Sequence, residues 1–226
     1  MSILDDPQIA ILTVPGLGNS GPAHWQTRWE RVHDAIGRAD LGLWNDPRRN
    51  AWVTALDHAI RSAGRPVVLV AHSLGCLAVA WWAVFEGQSM GWPVAGALLV
   101  APPDLEVLGD VRLAGDFNPR PRMRLPFPTI LVASRDDPWA TLNVQRDMAR
   151  EWGAHFVDAG QQGHLNAESG LVDWAEGKAL LTRLVEVARG EASAGVLAAA
   201  QSIHDGRAAL RVFPGAGGLG TSLPLS

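Results

Sequence analysis

A serine hydroxyl is a weak nucleophile near neutral pH. It attacks a carbonyl only when a base takes its proton and a carboxylate orients that base. Three segments of this 226-residue chain carry those residue types in a workable order. "VVLVAHSLGCLAVAWWA" sets Ser73 between a β-branched run and an apolar stretch of helical spacing, "PTILVASRDDPWA" offers Asp136 and Asp137, and "HFVDAGQQGHLNAESG" offers His164. Serine, acid, histidine is the order found around a nucleophile elbow, the sharp strand-to-helix turn of the G-x-S-x-G type. Gly75 fills the second small position and Ala71 stands in place of the first glycine, one methyl larger. The competing reading of Ser73 is a helix N-cap.

Position selects the base. His24, His33, His58, His155 and His204 fall in expected helices, a strand or the tail, and His72 beside Ser73 is expected to point elsewhere, which leaves His164. Of the two aspartates, Asp137 precedes Pro138, which keeps it extended and suits a carboxylate reaching a neighbouring loop. Asp136 remains the alternative, or a cap of the next helix. Acyl transfer also needs donors for an oxyanion, usually two backbone N–H groups. Leu74, just after the nucleophile, supplies one, and Leu17 in "TVPGLGNSGPAHW" is the candidate for the second. His24 and Trp139 are candidate pocket residues.

These groups need a scaffold. Short apolar runs at 9–14, 67–71, 95–101, 129–133 and 154–158 read as buried strands. Segments at 24–36, 51–62, 74–85, 142–152 and 171–188 have helical spacing. Strands alternating with helices predict a three-layer α/β fold with a mostly parallel sheet. Every candidate group falls at a strand's carboxyl end, where open α/β sheets collect their ligands. Trp81 and Trp82 are expected to pack the elbow helix on the sheet, and Asn166 with Glu168 to cap a helix. The hydrolase domain is expected over 1–189. Residues 190–226, rich in Ala, Gly and Ser, read as a partly disordered appendage.

Composition excludes several function classes. A net charge of −4 without a dense Lys/Arg block argues against nucleic acid as a partner. No apolar run reaches the ~20 residues of a membrane span, and Asp5 and Asp6 stand where a secretory signal carries positive charge, so a cytoplasmic location is expected. Cys76 is the single cysteine and reads as a small buried hydrophobe. Neither metal nor other cofactor is implied, because the histidines and carboxylates show no ligand spacing.

Together, "VPGLGNSGPAHWQTRWE", "VLVAHSLGCLAVAWWA", "VASRDDPWA" and "AGQQGHLNAESGLVDWAEG" resemble the small α/β-hydrolases that include bacterial YdeN-type proteins and the retinoblastoma-binding serine hydrolases. The likeness spans about residues 8–185. It implies a minimal hydrolase with little or no cap domain, with Ser73, Asp137 and His164 matching the family's triad, the acid lying immediately before the proline.

The expected activity is a serine hydrolase cleaving a small ester, thioester or amide of an acyl substrate through an acyl-enzyme. A binding module on the same scaffold is the alternative. A nucleotide-binding oxidoreductase is a third reading, because Gly16, Gly18 and Gly21 are spaced as G-x-G-x-x-G. That reading lacks a good second strand near Asp40 to present an acid to a ribose.

Overall fold

A computed structural model describes residues 3–86, 93–107 and 115–192. Most of the 190–226 appendage therefore lies outside the described residues, as does His204.

Among the described residues, six parallel strands form one sheet: β1 (Ala10–Val14), β2 (Ile36–Arg38), β3 (Val67–His72), β4 (Val94–Val100), β5 (Thr129–Ala133) and β6 (His155–Asp158), in the order β2-β1-β3-β4-β5-β6. Five helices among the same residues cover it: α1 (Trp25–Val32), α2 (Arg49–Ser62), α3 (Leu74–Glu86), α4 (Leu142–Trp152) and α5 (Ala175–Ala188). Alternation along the strands divides the core. Val67, Leu69 and Ala71 face α2, α3 and α4, whereas Val68 and Val70 face α1 and α5. Burial on both faces is why the central strands read as unbroken apolar runs.

Tryptophans pack on both sides of the sheet. Trp25, Trp29 and Trp174 form one cluster beneath the sheet, with ring centroids 4.7 to 5.9 Å apart. Trp52 lies on the other side with Trp44 and Phe117. Trp81 and Trp82 direct their hydrogen bonds to neighbouring elements rather than the sheet: Trp82 Nε1 donates to Asp57 on α2, and Trp81 Nε1 to the Phe117 carbonyl.

Some boundaries differ from the sequence reading. The helix expected over 24–36 ends at Val32, where His33 turns extended, and Ile36–Arg38 then pairs with β1 as an edge strand. The last helix begins at Ala175 rather than 171. The capping residues before it serve a short 3₁₀ turn, Ala167–Ser169, in which Asn166 accepts the Glu168 N–H and Ser169 answers in a capping box.

The strand order fixes where a ligand can enter. From β1 the chain crosses through α1 to β2 on one side, and from β3 it crosses through α3 to β4 on the other. The crevice beyond the carboxyl ends of β1 and β3 is thus the point where the winding reverses. Among the described residues there is no separate cap domain over this edge, and no helix is long and apolar enough to cross a membrane.

Candidate active site

Ser73 occupies the turn between β3 and α3 with φ +54°, a left-handed conformation that costs a non-glycine residue about 1–3 kcal/mol. The neighbours explain how the turn closes. A Cβ on Gly75 would lie 2.2 Å from the Val14 carbonyl oxygen and 2.7 Å from that of Pro15. The first turn of α3 therefore rides directly on the end of β1. A Cβ on Gly16 would lie 2.8 Å from Ser73 Cβ and 3.0 Å from Leu74 N, so the loop after β1 faces the elbow. Gly18 takes φ +76°, while Gly21 has open space around it. Gly16 thus lets this loop come against Ser73, and Gly18 supplies a left-handed turn in it.

The three candidate chemical groups lie in line. His164 Nε2 is 2.9 Å from Ser73 Oγ, and His164 Nδ1 is 2.9 Å from Asp137 Oδ1. The Asp137 side chain is fully buried. Its Oδ1 also accepts the Trp139 N–H at 2.9 Å, and Oδ2 accepts Gln145 Nε2 at 3.1 Å. Gln145 is itself buried on α4 and donates as well to the Pro102 carbonyl. In this arrangement the carboxylate is fixed by three donors, and the imidazole has one orientation open to it.

Asp136 does not cap the following helix; Thr141 does, accepting the Val144 N–H. Asp136 instead accepts from Ser134 Oγ and from the Gly163 N–H, each at 2.8 Å. It therefore ties the loop that carries His164 to the end of β5. These bonds, the Ser134 hydroxyl first, hold its carboxyl below the ordinary carboxylate range. A group with a depressed folded-state pKa stabilises the fold above its unfolded pKa and loses that contribution as pH falls through the lower value. Asp136→Asn should therefore unfold at lower temperature than the wild type at pH 7. The gap should narrow as pH falls below about 4, as thermal melts across that range would reveal; a constant gap would exclude the ionic contribution.

Two residues outside the candidate triad hold the same loop. His72 does not point away: its Nε2 donates to the His164 carbonyl at 2.9 Å, and the two rings meet edge-on. Trp25 Nε1 donates to the Leu165 carbonyl at 2.8 Å. Burial, aided by His24 and His164, pushes the His72 pKa well below its usual value, so it stays neutral as a positioning group. Cys76 is buried, and burial pushes its thiol pKa up, away from reactivity.

A third support acts on the glycine loop. Arg38, at the end of β2, donates through Nε and Nη2 to Glu30, and through Nη1 to Asn19 Oδ1 and the Ser20 carbonyl. Gln26, also buried, joins Ser20 Oγ to the Val70 carbonyl on β3. Side chains from β2 and α1 thereby pin residues 19–20 relative to the elbow.

A cavity of about 410 Å³ opens over Ser73, lined by Leu17, His24, Leu74, Pro103, Trp139 and Glu168 among others. Both expected pocket residues, His24 and Trp139, are in its wall, as are both candidate oxyanion donors. This volume falls within the usual range for small-molecule sites.

Comparison with known proteins agrees with the architecture. Among solved structures, a YdeN-like hydrolase from Pectobacterium atrosepticum is 31% identical, with 80% of this chain and 92% of that one covered at a TM-score of 0.71. The ydeN gene product of B. subtilis is 19% identical, with 78% and 98% covered at 0.64. Est1E from Butyrivibrio proteoclasticus, solved with ferulic acid bound, is 14% identical, with 78% and 90% covered at 0.56. The last two share the fold. No curated protein sequence matches the chain. The family model described as serine hydrolase matches residues 11–183, most of the described fold, and the chain accordingly belongs to the serine hydrolase family, on an α/β-hydrolase scaffold.

Proposed function

We propose that the protein hydrolyses a small carboxylic ester, thioester or amide through an acyl-enzyme, with Ser73 as nucleophile, His164 as general base and acid, and Asp137 as the orienting carboxylate. The observation that carries this reading is the continuous line from Ser73 Oγ through the His164 ring to Asp137, at 2.9 Å on either side of the ring. Bonding of Nδ1–H to Asp137 leaves Nε2 with its lone pair toward Ser73. Ser73 Oγ attacks the carbonyl carbon while its proton passes to Nε2. The imidazolium so formed is stabilised by the buried Asp137 carboxylate, and it then protonates the leaving group as the tetrahedral intermediate collapses. Water repeats the sequence on the acyl-enzyme, with His164 again taking the proton and the acid departing.

Negative charge on the carbonyl oxygen is met by the N–H groups of Leu17 and Leu74. Leu74 is the first residue of α3, where N–H groups have no partner within the helix and the helix dipole favours an anion. Each such donor is worth roughly 3 kcal/mol in the transition state. The closeness of Gly16 to Ser73 and to Leu74 N supports Leu17 as the other donor. The size of the cavity and the chain's net charge of −4 favour a small molecule over nucleic acid as substrate.

A fluorophosphonate probe tests the nucleophile directly. The wild type should be labelled at a single site, and Ser73→Ala should not be labelled at all. Labelling that persists in the variant would overturn the assignment.

A further inference from the structure

One residue of the cavity wall carries a polar atom that the acyl-transfer steps leave unused. His24 caps α1, its Nδ1 accepting the Gln26 N–H at 3.2 Å, and the residue is only 4% exposed. Burial first, then the charges of Arg38 and His164, pushes its pKa down to about 4, so the ring is neutral at physiological pH. A neutral imidazole has one N–H and one lone pair. With Nδ1 accepting, the proton must reside on Nε2. The ring is fixed between Trp25 and His72, with centroids 5.1 and 4.7 Å away. Nε2 is nonetheless buried with no hydrogen-bond partner among the described residues, in a side chain that lines the cavity over Ser73. A buried donor left unpaired is costly, and an acceptor delivered by a ligand removes that cost.

We propose that His24 Nε2–H is a substrate-binding donor, which selects acyl substrates carrying a second, uncharged oxygen acceptor close to the reacting carbonyl. The inference rests on Ser73 being the nucleophile. An ether, hydroxyl or carbonyl oxygen suits this donor better than a carboxylate. The ring brings no positive charge, Glu168 lines the same cavity, and Arg38 is already committed to Glu30 and Asn19. Sites built to hydrogen-bond an oxygen discriminate strongly against analogues that lack it, because the protein donor is then stranded.

Two matched ester pairs test the idea and distinguish which side of the substrate carries the oxygen. Methoxyacetyl and butanoyl esters of one phenol differ only at one acyl atom, and butanoates of 2-methoxyethanol and of butanol differ only at one alcohol atom. His24→Asn keeps an N-capping acceptor for α1 and withdraws the distal donor. It should lower kcat/KM about tenfold for the oxygen-bearing ester of one pair, and less than about twofold for its carbon isostere. His24→Gln, whose amide reaches farther, should recover part of the loss. An equal loss on all four esters, or no selective loss on either pair, overturns the donor role. The same esters titrated calorimetrically into Ser73→Ala protein, with and without His24→Asn, should lose the same discrimination in Kd. That arm needs no turnover, so a failure of the nucleophile assignment leaves it readable, whereas uniform binding of both pairs to Ser73→Ala would refute the donor alone.

Discussion

Ser73→Ala is expected to lower kcat/KM on an activated ester about 10⁶-fold, and Asp137→Ala about 10⁴-fold, while the double variant loses no more than Ser73→Ala alone. The reason is that the groups work as one unit. Once Ser73 Oγ is gone, His164 Nε2 has no proton to take, and orienting the ring has no further effect on the rate. The aspartate loss is large because Asp137 does two jobs from a fully buried position. In the proposed mechanism it fixes the Nδ1–H tautomer and stabilises the imidazolium that forms during attack. Removing it also takes the acceptor from the Trp139 N–H and from one of the two Gln145 Nε2 hydrogens, the other being held by the Pro102 carbonyl. Stopped-flow or long-time hydrolysis of a p-nitrophenyl ester would measure all three variants. If Asp137→Ala cut the residual rate of Ser73→Ala further, the carboxylate would be acting through something other than this serine and histidine.

Much of this site was legible in the sequence because each chemical group stands at the end of an apolar run. β3 and β5 are short and β-branched, β6 is short, and all three are bounded by turn residues, so their carboxyl ends could be located to within a residue or so. β2 was not legible. It contributes one buried side chain, Ile36, followed by Gly37 and Arg38, and it pairs only with β1. A three-residue edge strand has too little pattern to separate it from the tail of α1. Missing β2 hid Arg38, whose guanidinium braces the glycine loop.

The supporting side chains failed to show for a different reason. His72, Trp25 and Gln26 act across 92, 140 and 44 residues of chain, and only the sheet order brings their partners near. Gln145 did leave a trace. The buried positions of α4 are Gln145, Met148, Ala149 and Trp152, the spacing of one helix face, so a glutamine sits where the pattern calls for an apolar residue. A polar side chain at such a position must find buried partners, and eight residues earlier stands Asp137. Asp136 illustrates the opposite case: adjacent to the triad candidate and of the same residue type, it points to the backbone of the His164 loop. Two neighbours in a turn divide the work of orienting the base and anchoring its loop.

The glycines give the sharpest contrast between a motif and its physical use. Gly75→Ala should destabilise the protein by about 3 kcal/mol, lowering Tm by about 10 °C. The added Cβ would meet the Val14 carbonyl oxygen at 2.2 Å and the Pro15 oxygen at 2.7 Å. Both contacts are with backbone, so relief requires α3 to lift off the end of β1. That movement separates Leu74 N–H from the loop that carries Leu17. Activity per folded molecule should therefore fall more than stability alone predicts, by about 100-fold for a shift near 1 Å. Gly21→Ala should leave both quantities within experimental scatter, because nothing lies within 4 Å of the new methyl. Melting curves and Ser73 labelling rates on the two variants measure this. Were Gly21→Ala the more damaging, the G-x-G-x-x-G spacing itself would matter and a phosphate-type use of the loop would regain force. The opposite ranking assigns Gly75 and Gly16 to the meeting of β1 and the elbow, where close backbone approach builds a pocket for an oxyanion.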